Sequence, residues 1–385
     1  MEPEPLAPTP RPLFPRGTTV LLALAGGTVA AFGIASIRGI FNPMFLALVL
    51  TICVSPVRHW MHRRGIPRGL ATGSTIVVVF GLLAGFVAVL LGALAQFGSL
   101  LPQFAPQIQQ LGANISSGLE RLGFGSQQVE AVLSGFDPGR IVNFLGGLLG
   151  NITDIVAALV IILTLLILMG MEGSQTSALL KLLNHHHPHM VAAFNIYGAS
   201  VRRYMVATTV LGIVQGLFNW ITLLILQVPG ALLWGLLSFI CSFIPNIGYF
   251  IAIIPPLFFG FLTGGWPTVI AVIVIYGVVN SVIQSVIQPK YVGNAVALSE
   301  TLTFVSVLFW AVVLGPMGAI LAVPLTLLVR TIILDSDPSM AWWRPITGDR
   351  TELVPILKEE DEQIRARRRR ARRASPPLPG SVPGV

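Results

Sequence analysis

Residues 70–97 read LATGSTIVVVFGLLAGFVAVLLGALAQF, 28 positions without one charged side chain. A hydrocarbon core of roughly 30 Å needs about 20 apolar helical residues to cross it, so this run alone is long enough. Similar runs fall at 18–37, 40–56, 144–170, 207–228, 231–263, 267–288 and 300–332. Across all 385 residues, 54% of side chains are hydrophobic and 10% charged, against about 25% charged in a soluble domain. So apolar a chain cannot clothe a surface facing water. In lipid, backbone amides must be satisfied within the protein, which leaves helices or closed barrels. Runs of this length choose helices. The expected fold class is an all-α integral membrane protein, a polytopic helical bundle with about eight hydrophobic segments.

The net charge of +8 would suit nucleic acid, but its distribution does not. Much of the excess sits in one tail, Arg365 to Arg373, reading RARRRRARR, and the rest in short links between apolar runs. That is how basic residues mark cytoplasmic segments, so no nucleic-acid partner is expected. Arg58, Arg63, Arg64 and Arg68, with no acid among them, place the 58–68 link inside, and Arg11 and Arg16 place the N-terminus there too. Residues 98–143 carry Glu120, Glu130 and Asp137 against Arg121 and Arg140, which suits the outside. The arginine tail returns inside, giving N-in and C-in in a cell inner membrane. Cys53 and Cys241 both lie in apolar runs and read as buried apolar residues rather than a disulfide.

The chain divides accordingly. Residues 1–17 form a disordered cytoplasmic N-terminus, 18–97 the first transmembrane helices, and 98–143 an extramembrane amphipathic helical segment. Residues 144–335 form a C-terminal permease core, and 336–385 a basic, largely disordered cytoplasmic tail. Within 98–143, Phe104, Ile108, Leu111, Ile115, Leu119 and Leu122 recur at steps of 4, 3, 4, 4 and 3, one apolar stripe on a helix. Such a stripe lies in the membrane interface, packs on a neighbouring copy in a homo-oligomer, or covers the bundle.

Two apolar runs are interrupted in matching ways. Residues 242–257 read SFIPNIGYFIAIIPPL and residues 310–328 read WAVVLGPMGAILAVPLTLL. In each, a Pro/Gly break (Pro245, Asn246 and Gly248; Gly315, Pro316 and Gly318) precedes five or six apolar residues and another proline, Pro255 or Pro324. Proline removes an amide donor and clashes with the preceding turn, so Pro255, Pro289 and Pro324 are expected to set helix breaks. Backbone freed at membrane depth survives only inside protein or beside a polar cavity. Paired interrupted helices therefore point to a transport site, and these runs either dip in and return or cross. Between them Asn280, Gln284 and Gln288 share one helical face at i, i+4 and i+8, widened by Ser281 and Ser285. Gln215, Asn219 and Thr222 form a like stripe with Gly212. Amides so placed are either interhelical glue or a polar lane.

Other chemistry lacks its residues. No GxxxxGK[ST] phosphate loop occurs, carboxylates are missing from the middle of nearly every run, and no catalytic constellation is visible. An enzyme, a cofactor and a metal site are not expected; His185, His186, His187 and His189 read as a solvated loop.

The pieces IPNIGYFIAIIPP (244–256), QPKYVGNAVALSETLTFVSVLFW (288–310) and LGPMGAILAVPLTLLV (314–329) together resemble the C-terminal signature of the autoinducer-2 exporter family (AI-2E, PerM-like permeases). The rest of the chain matches the family in architecture. The resemblance implies a bacterial inner-membrane permease, some members being linked to export of autoinducer-2 and others to cation/proton antiport. Many members carry a carboxylate just before the proline corresponding to Pro289, where this chain has Gln284 and Gln288.

The expected function is a permease that exports or exchanges a small polar solute, its path lined by Pro245, Asn246, Gly248, Asn280, Gln284, Gln288, Gly315, Pro316 and Gly318. Gly248, Gly293 and Gly318 would permit close backbone approach. The alternatives are a monovalent cation/proton antiporter and a non-transporting membrane scaffold or regulatory subunit.

Overall fold

The computed structural model describes residues 15–121, 139, 146–147, 150–288, 298–337 and 347–348. The N-terminal segment, most of 122–149, Pro289, Gly293 and the arginine tail lie outside these residues.

Among the described residues the structure is helical without strands. The helices are α1 (Arg16–Ser36), α2 (Arg38–Arg63), α3 (Arg68–Arg121), α4 (Ile152–His186), α5 (Pro188–Ile225), α6 (Ala231–Cys241), α7 (Gly248–Ser281), α8 (Glu300–Leu314), α9 (Pro316–Ile320) and α10 (Ala322–Arg330). α7 and α10 each end in a π-helical turn, Val282–Ile287 and Thr331–Asp335. Five helices are long and apolar enough to span, and α1, α6 and α8 contribute shorter apolar stretches. Large apolar side chains face outward, Val77 and Leu82 at 71% exposed and Val312 at 85%. In water such a surface would aggregate, whereas lipid tails are as apolar as leucine.

At 54 residues and 1.5 Å per residue, α3 is about 80 Å long, far more than a crossing needs. Residues 98–121 therefore extend the third helix without a break. From their apolar stripe, fully buried Ile108 joins a cluster with Phe97, Trp234 and Phe259.

Backbone corners govern the second half. The 34-residue α7 is two arms, 248–264 and 266–281, folded at Gly265, whose φ of 63° and ψ of −155° are not helical. Gly315 has nearly the same geometry, φ 74° and ψ −158°. Only glycine occupies that region readily. The arms lie side by side. A Cβ on Gly260 would stand 3.2 Å from Thr268 and 3.6 Å from Val228, and one on Gly277 would stand 3.7 Å from the Tyr249 hydroxyl. The Trp234 and Phe259 rings stack at 5.8 Å, so α6 and the first arm of α7 also run alongside each other.

The run 231–263 is thus a hairpin, α6 descending and the first arm returning through a turn at 242–247. The run 300–332 is a second hairpin. Trp310 Nε1 donates to Thr326 Oγ1 at 3.0 Å, joining α8 to α10, and the Ser299 amide donates to the Thr347 carbonyl at 2.9 Å, joining its two flanks. Both broken runs return towards the end they entered from.

The breaks do not fall where every proline suggested. α7 keeps helical backbone through Pro255 and Pro256, as membrane helices tolerate. Pro324 occupies the first turn of α10, after a break at Leu321, where its missing N–H has no helical partner to lose.

The corner residue supplies a direct check. Gly315→Ala should cost about 1–3 kcal/mol, since the residue must hold a glycine-only conformation. Gly26→Ala, in open space on α1, should melt like wild type. Thermal melting in detergent micelles measures both, and equal melting of all three proteins would contradict the corner.

Candidate functional site at the hairpin tips

The two hairpins enter from opposite ends and overlap. On α5, the Val228 end marks the base of the first hairpin, while further towards Pro188 the Tyr204 hydroxyl reaches the Phe243 carbonyl at its tip, 3.5 Å away. The second tip is held by α2, where Asn42 Nδ2 donates to the Leu314 carbonyl at 3.1 Å. That bond caps the C-terminus of α8 just before the corner. Phe243 and Ile244 share one buried cluster with Ala319, Leu321 and Val323, with Ile247 and Met317 packed against it. Residues flanking the breaks at Pro245 and Pro316 therefore belong to one buried cluster.

At each tip a glycine lies against a carbonyl of the opposite arm. A Cβ on Gly248 would collide with the Cys241 carbonyl, and one on Gly318 with the Trp310 carbonyl. Both are backbone contacts that cannot swing aside. Asn246 takes a positive φ of 65°, a conformation asparagine tolerates better than most residues, and it is exposed, as is Pro316. Pro245 and Gly315 are half-buried.

The polar residues divide into two groups. On α5, Gln215 and Asn219 are 4% and 1% exposed, and Asn219 Nδ2 donates to Ser238 Oγ of α6 at 3.1 Å. Small residues permit the approach. A Cβ on Gly216 would lie 2.9 Å from the Gly235 carbonyl, and one on Gly235 3.0 Å from the Gly216 carbonyl, so the two backbones touch in the manner of close-packed membrane helices. From α7, the Tyr276 hydroxyl approaches Ser238 without closing a hydrogen bond. Asn280 follows one turn on, half-buried. Gln284 and Gln288 are also half-buried, but Gln284 sits in the π-helical turn and Gln288 at its end. The wider turn rotates both off the α-helical line below Asn280, and Ser281 and Ser285 face outward.

Several buried polar atoms have no hydrogen-bond partner among the described residues: Asn219 Oδ1, Asn280 Oδ1, Asn42 Oδ1, Thr208 Oγ1 and the Tyr276 hydroxyl. Leaving such a group unpaired costs about 1–3 kcal/mol, and a natural protein retains that cost for a reason. Among the described residues the fully buried polar side chains are uncharged, and the largely buried Arg330 is paired with Asp335 at 3.4 Å. An assembly of amides and hydroxyls recognises a neutral polar molecule by hydrogen bonding, with no fixed charge to offer an ion. Among the described residues no cluster of His, Cys, Asp and Glu is placed to hold a metal. Two cavities lie elsewhere, one between α3, α5 and α6 around Phe97 and Trp220, the other between α2, α3 and α4 around Ser55 and Arg58. Neither of these two touches Asn219 or Asn280.

Sequence reading singled out Asn280 and the α5 stripe but passed over Asn42, Ser238, Tyr204 and Tyr276. Asn42 carried a usable signal, a lone amide before Pro43 in an apolar run; its partner is 272 residues away. Asn42→Leu should lower stability by about 1 kcal/mol, the net worth of the lost bond plus part of the cost of an orphaned carbonyl. Reversible denaturation in mixed micelles reads this, and unchanged stability would remove the cap from the account.

The family model described as "AI-2E family transporter" matches residues 19–336. The AI-2 transport protein TqsA of Escherichia coli (strain K12) is 28% identical over 314 residues, covering 82% of this chain and 91% of TqsA. YhhT of the same strain, provisionally named a transport protein, is 29% identical over 311 residues, covering 80% and 88%. A provisionally named transport protein of Haemophilus influenzae is 29% identical over 335 residues, covering 86% and 96%.

Proposed function

This chain belongs to the AI-2E transporter family, and from that premise we propose that it is a multi-pass permease of the cell inner membrane carrying a small, neutral polar solute through the meeting point of its two hairpin tips. The observation that carries this reading is that residues flanking both breaks, Phe243 and Ile244 with Ala319 and Leu321, lie in one buried cluster, taken together with the orphaned amide oxygens of Asn219 and Asn280. Transporter sites are commonly built where interrupted helices meet. Here the unpaired acceptors would receive hydroxyl hydrogens of the solute, and the hydroxyls of Tyr276 and Thr208 would serve its oxygens. Pro245, Asn246, Gly248, Gly315, Pro316 and Gly318 would form the two gates, and Gln284 and Gln288 a wetter approach from the Pro289 side.

The basic links favour both termini inside. Six full crossings then follow, by α1 to α5 and the second arm of α7. The first hairpin would then enter from outside and the second from inside. Transport would alternate by moving one hairpin tip away while the other stays closed. An autoinducer-2-like solute suits the uncharged lining, and TqsA is named for AI-2 transport.

Purified protein in liposomes should take up labelled autoinducer-2 or another member of a panel of small neutral polyols and furanones. Asn219→Leu and Asn280→Leu should each cut that uptake by about tenfold, the loss of one or two hydrogen bonds to the moving solute, with little change in melting because interhelical bonds average about 0.6 kcal/mol. Uptake untouched by both substitutions would refute the lane.

A further inference from the structure

Arg58 and Arg202 form a second polar assembly between α2, α4 and α5, with Arg202 two residues before Tyr204 in the Pro188 half of α5. Arg58 lies across α4. Its Nη1 donates to the Gly170 carbonyl at 3.4 Å, and its guanidinium fills the space left by Gly173, where a Cβ would stand 2.9 Å from Cζ. Arg202 Nη1 reaches from α5 to donate to Ser55 Oγ at 3.2 Å. Ser55 is one turn from Arg58 on α2, so the same end of α2 carries one cation and holds the other through its hydroxyl. Among the described residues neither makes an ion pair; Glu172, next to the berth in sequence, is exposed. A guanidinium carries five N–H donors, and each of these bonds uses one of them.

A cavity adjoins the berth. Arg58, Ser55 and Thr72 stand at its polar rim, and Val79 and Leu166, deeper along α3 and α4, form an apolar floor. Beyond the floor the surface stays apolar and outward-facing, with Val78 58% and Leu168 48% exposed. Marking the cytoplasmic side would need only positive charge near the 58–68 link. It would not need a glycine seat for one arginine or a hydroxyl partner for the other.

We propose that this berth binds a phosphate-bearing anion, the headgroup phosphate of an anionic phospholipid whose acyl chain runs down over Val79 and Leu166. Guanidinium forks match phosphate oxygens two at a time, and basic pockets between membrane helices on the cytoplasmic side take such headgroups. The phosphate bridges Arg58 and Arg202, relieves their mutual repulsion, and ties α2, α4 and α5 together at one end.

Native mass spectrometry of the full chain, titrated with phosphatidylglycerol, phosphatidylcholine and inorganic phosphate, tests this without reference to transport. Wild type should retain phosphatidylglycerol over phosphatidylcholine by about tenfold or more, as two arginines near a membrane surface provide. The doubly substituted Arg58→Gln, Arg202→Gln protein should lose that preference. Arg63→Gln, an exposed arginine of the same link, should keep it. The doubly substituted Arg58→Lys, Arg202→Lys protein, which keeps the charge, should retain part of it, separating loss of the site from loss of the fold. Binding of inorganic phosphate that needs both arginines, without lipid preference, would support the anion site but make its source free phosphate. An unchanged preference in the doubly Gln-substituted protein, an equal loss in Arg63→Gln, or binding of neither anion would overturn the proposal.

Discussion

Backbone groups freed where a helix breaks cannot be left against hydrocarbon, and the second half of this protein is arranged around sheltering them. At the first tip, the Ile244 amide donates to the Cys241 carbonyl and the Gly248 amide to the Ile244 carbonyl, both at 3.0 Å. At the second, the Gly315 amide donates to Ala311 and the Gly318 amide to Gly315, each at 2.9 Å. The Leu314 carbonyl is capped from another helix by Asn42. Each tip thus closes on itself first and borrows a long-range partner second. Burial of both tips in one cluster follows, because each is the other's shelter.

Folding back within each hairpin requires close approach of its two arms, and glycine supplies it. Gly248 and Gly318 sit where any side chain would strike a carbonyl of the facing arm, and Gly216 and Gly235 let α5 and α6 touch. The second contact has a chemical consequence, since it sets Asn219 against Ser238 deep in the bundle. A protein that needed only to fill a membrane would place leucine and alanine there. Retaining amides with an unpaired oxygen is costly, and the proposed lane for a neutral solute is what would return that cost.

Much of this was legible in the sequence. Apolar runs locate every described helix to within a turn or two at most of their ends, because hydrocarbon thickness sets their length. α3, α4 and α5 are the exceptions: they extend into less apolar stretches that a search for spans passes over. Proline and glycine marked the breaks at 245–248 and 315–318 correctly, yet Pro255 and Pro324 lie inside helices. Proline is decisive only where the lost bond would have mattered, and Pro324 falls in a first turn. The corner at Gly265 could be read as a gap between runs but not as a fold-back, since that depends on which arms meet. The face shared by Asn280, Gln284 and Gln288 assumed 3.6 residues per turn, and the π-turn at Val282–Ile287 breaks that assumption. Asn42 offered only the signal of a lone amide before Pro43; its role as a cap depends on Leu314 on a distant helix.

The fold-back of both broken runs is the claim on which the rest stands, and sidedness of the hairpin bases tests it most directly. With Cys53 and Cys241 replaced by serine, single cysteines at Gln227 and Trp266 flank the first hairpin, and single cysteines at Glu300 and Ser336 flank the second. Labelling with a membrane-impermeant maleimide in intact cells and in inverted vesicles should find Gln227→Cys and Trp266→Cys on one face, and Glu300→Cys and Ser336→Cys together on the other. A pair split across the two faces would mean that the run between them crosses, and would contradict the opposed-hairpin account.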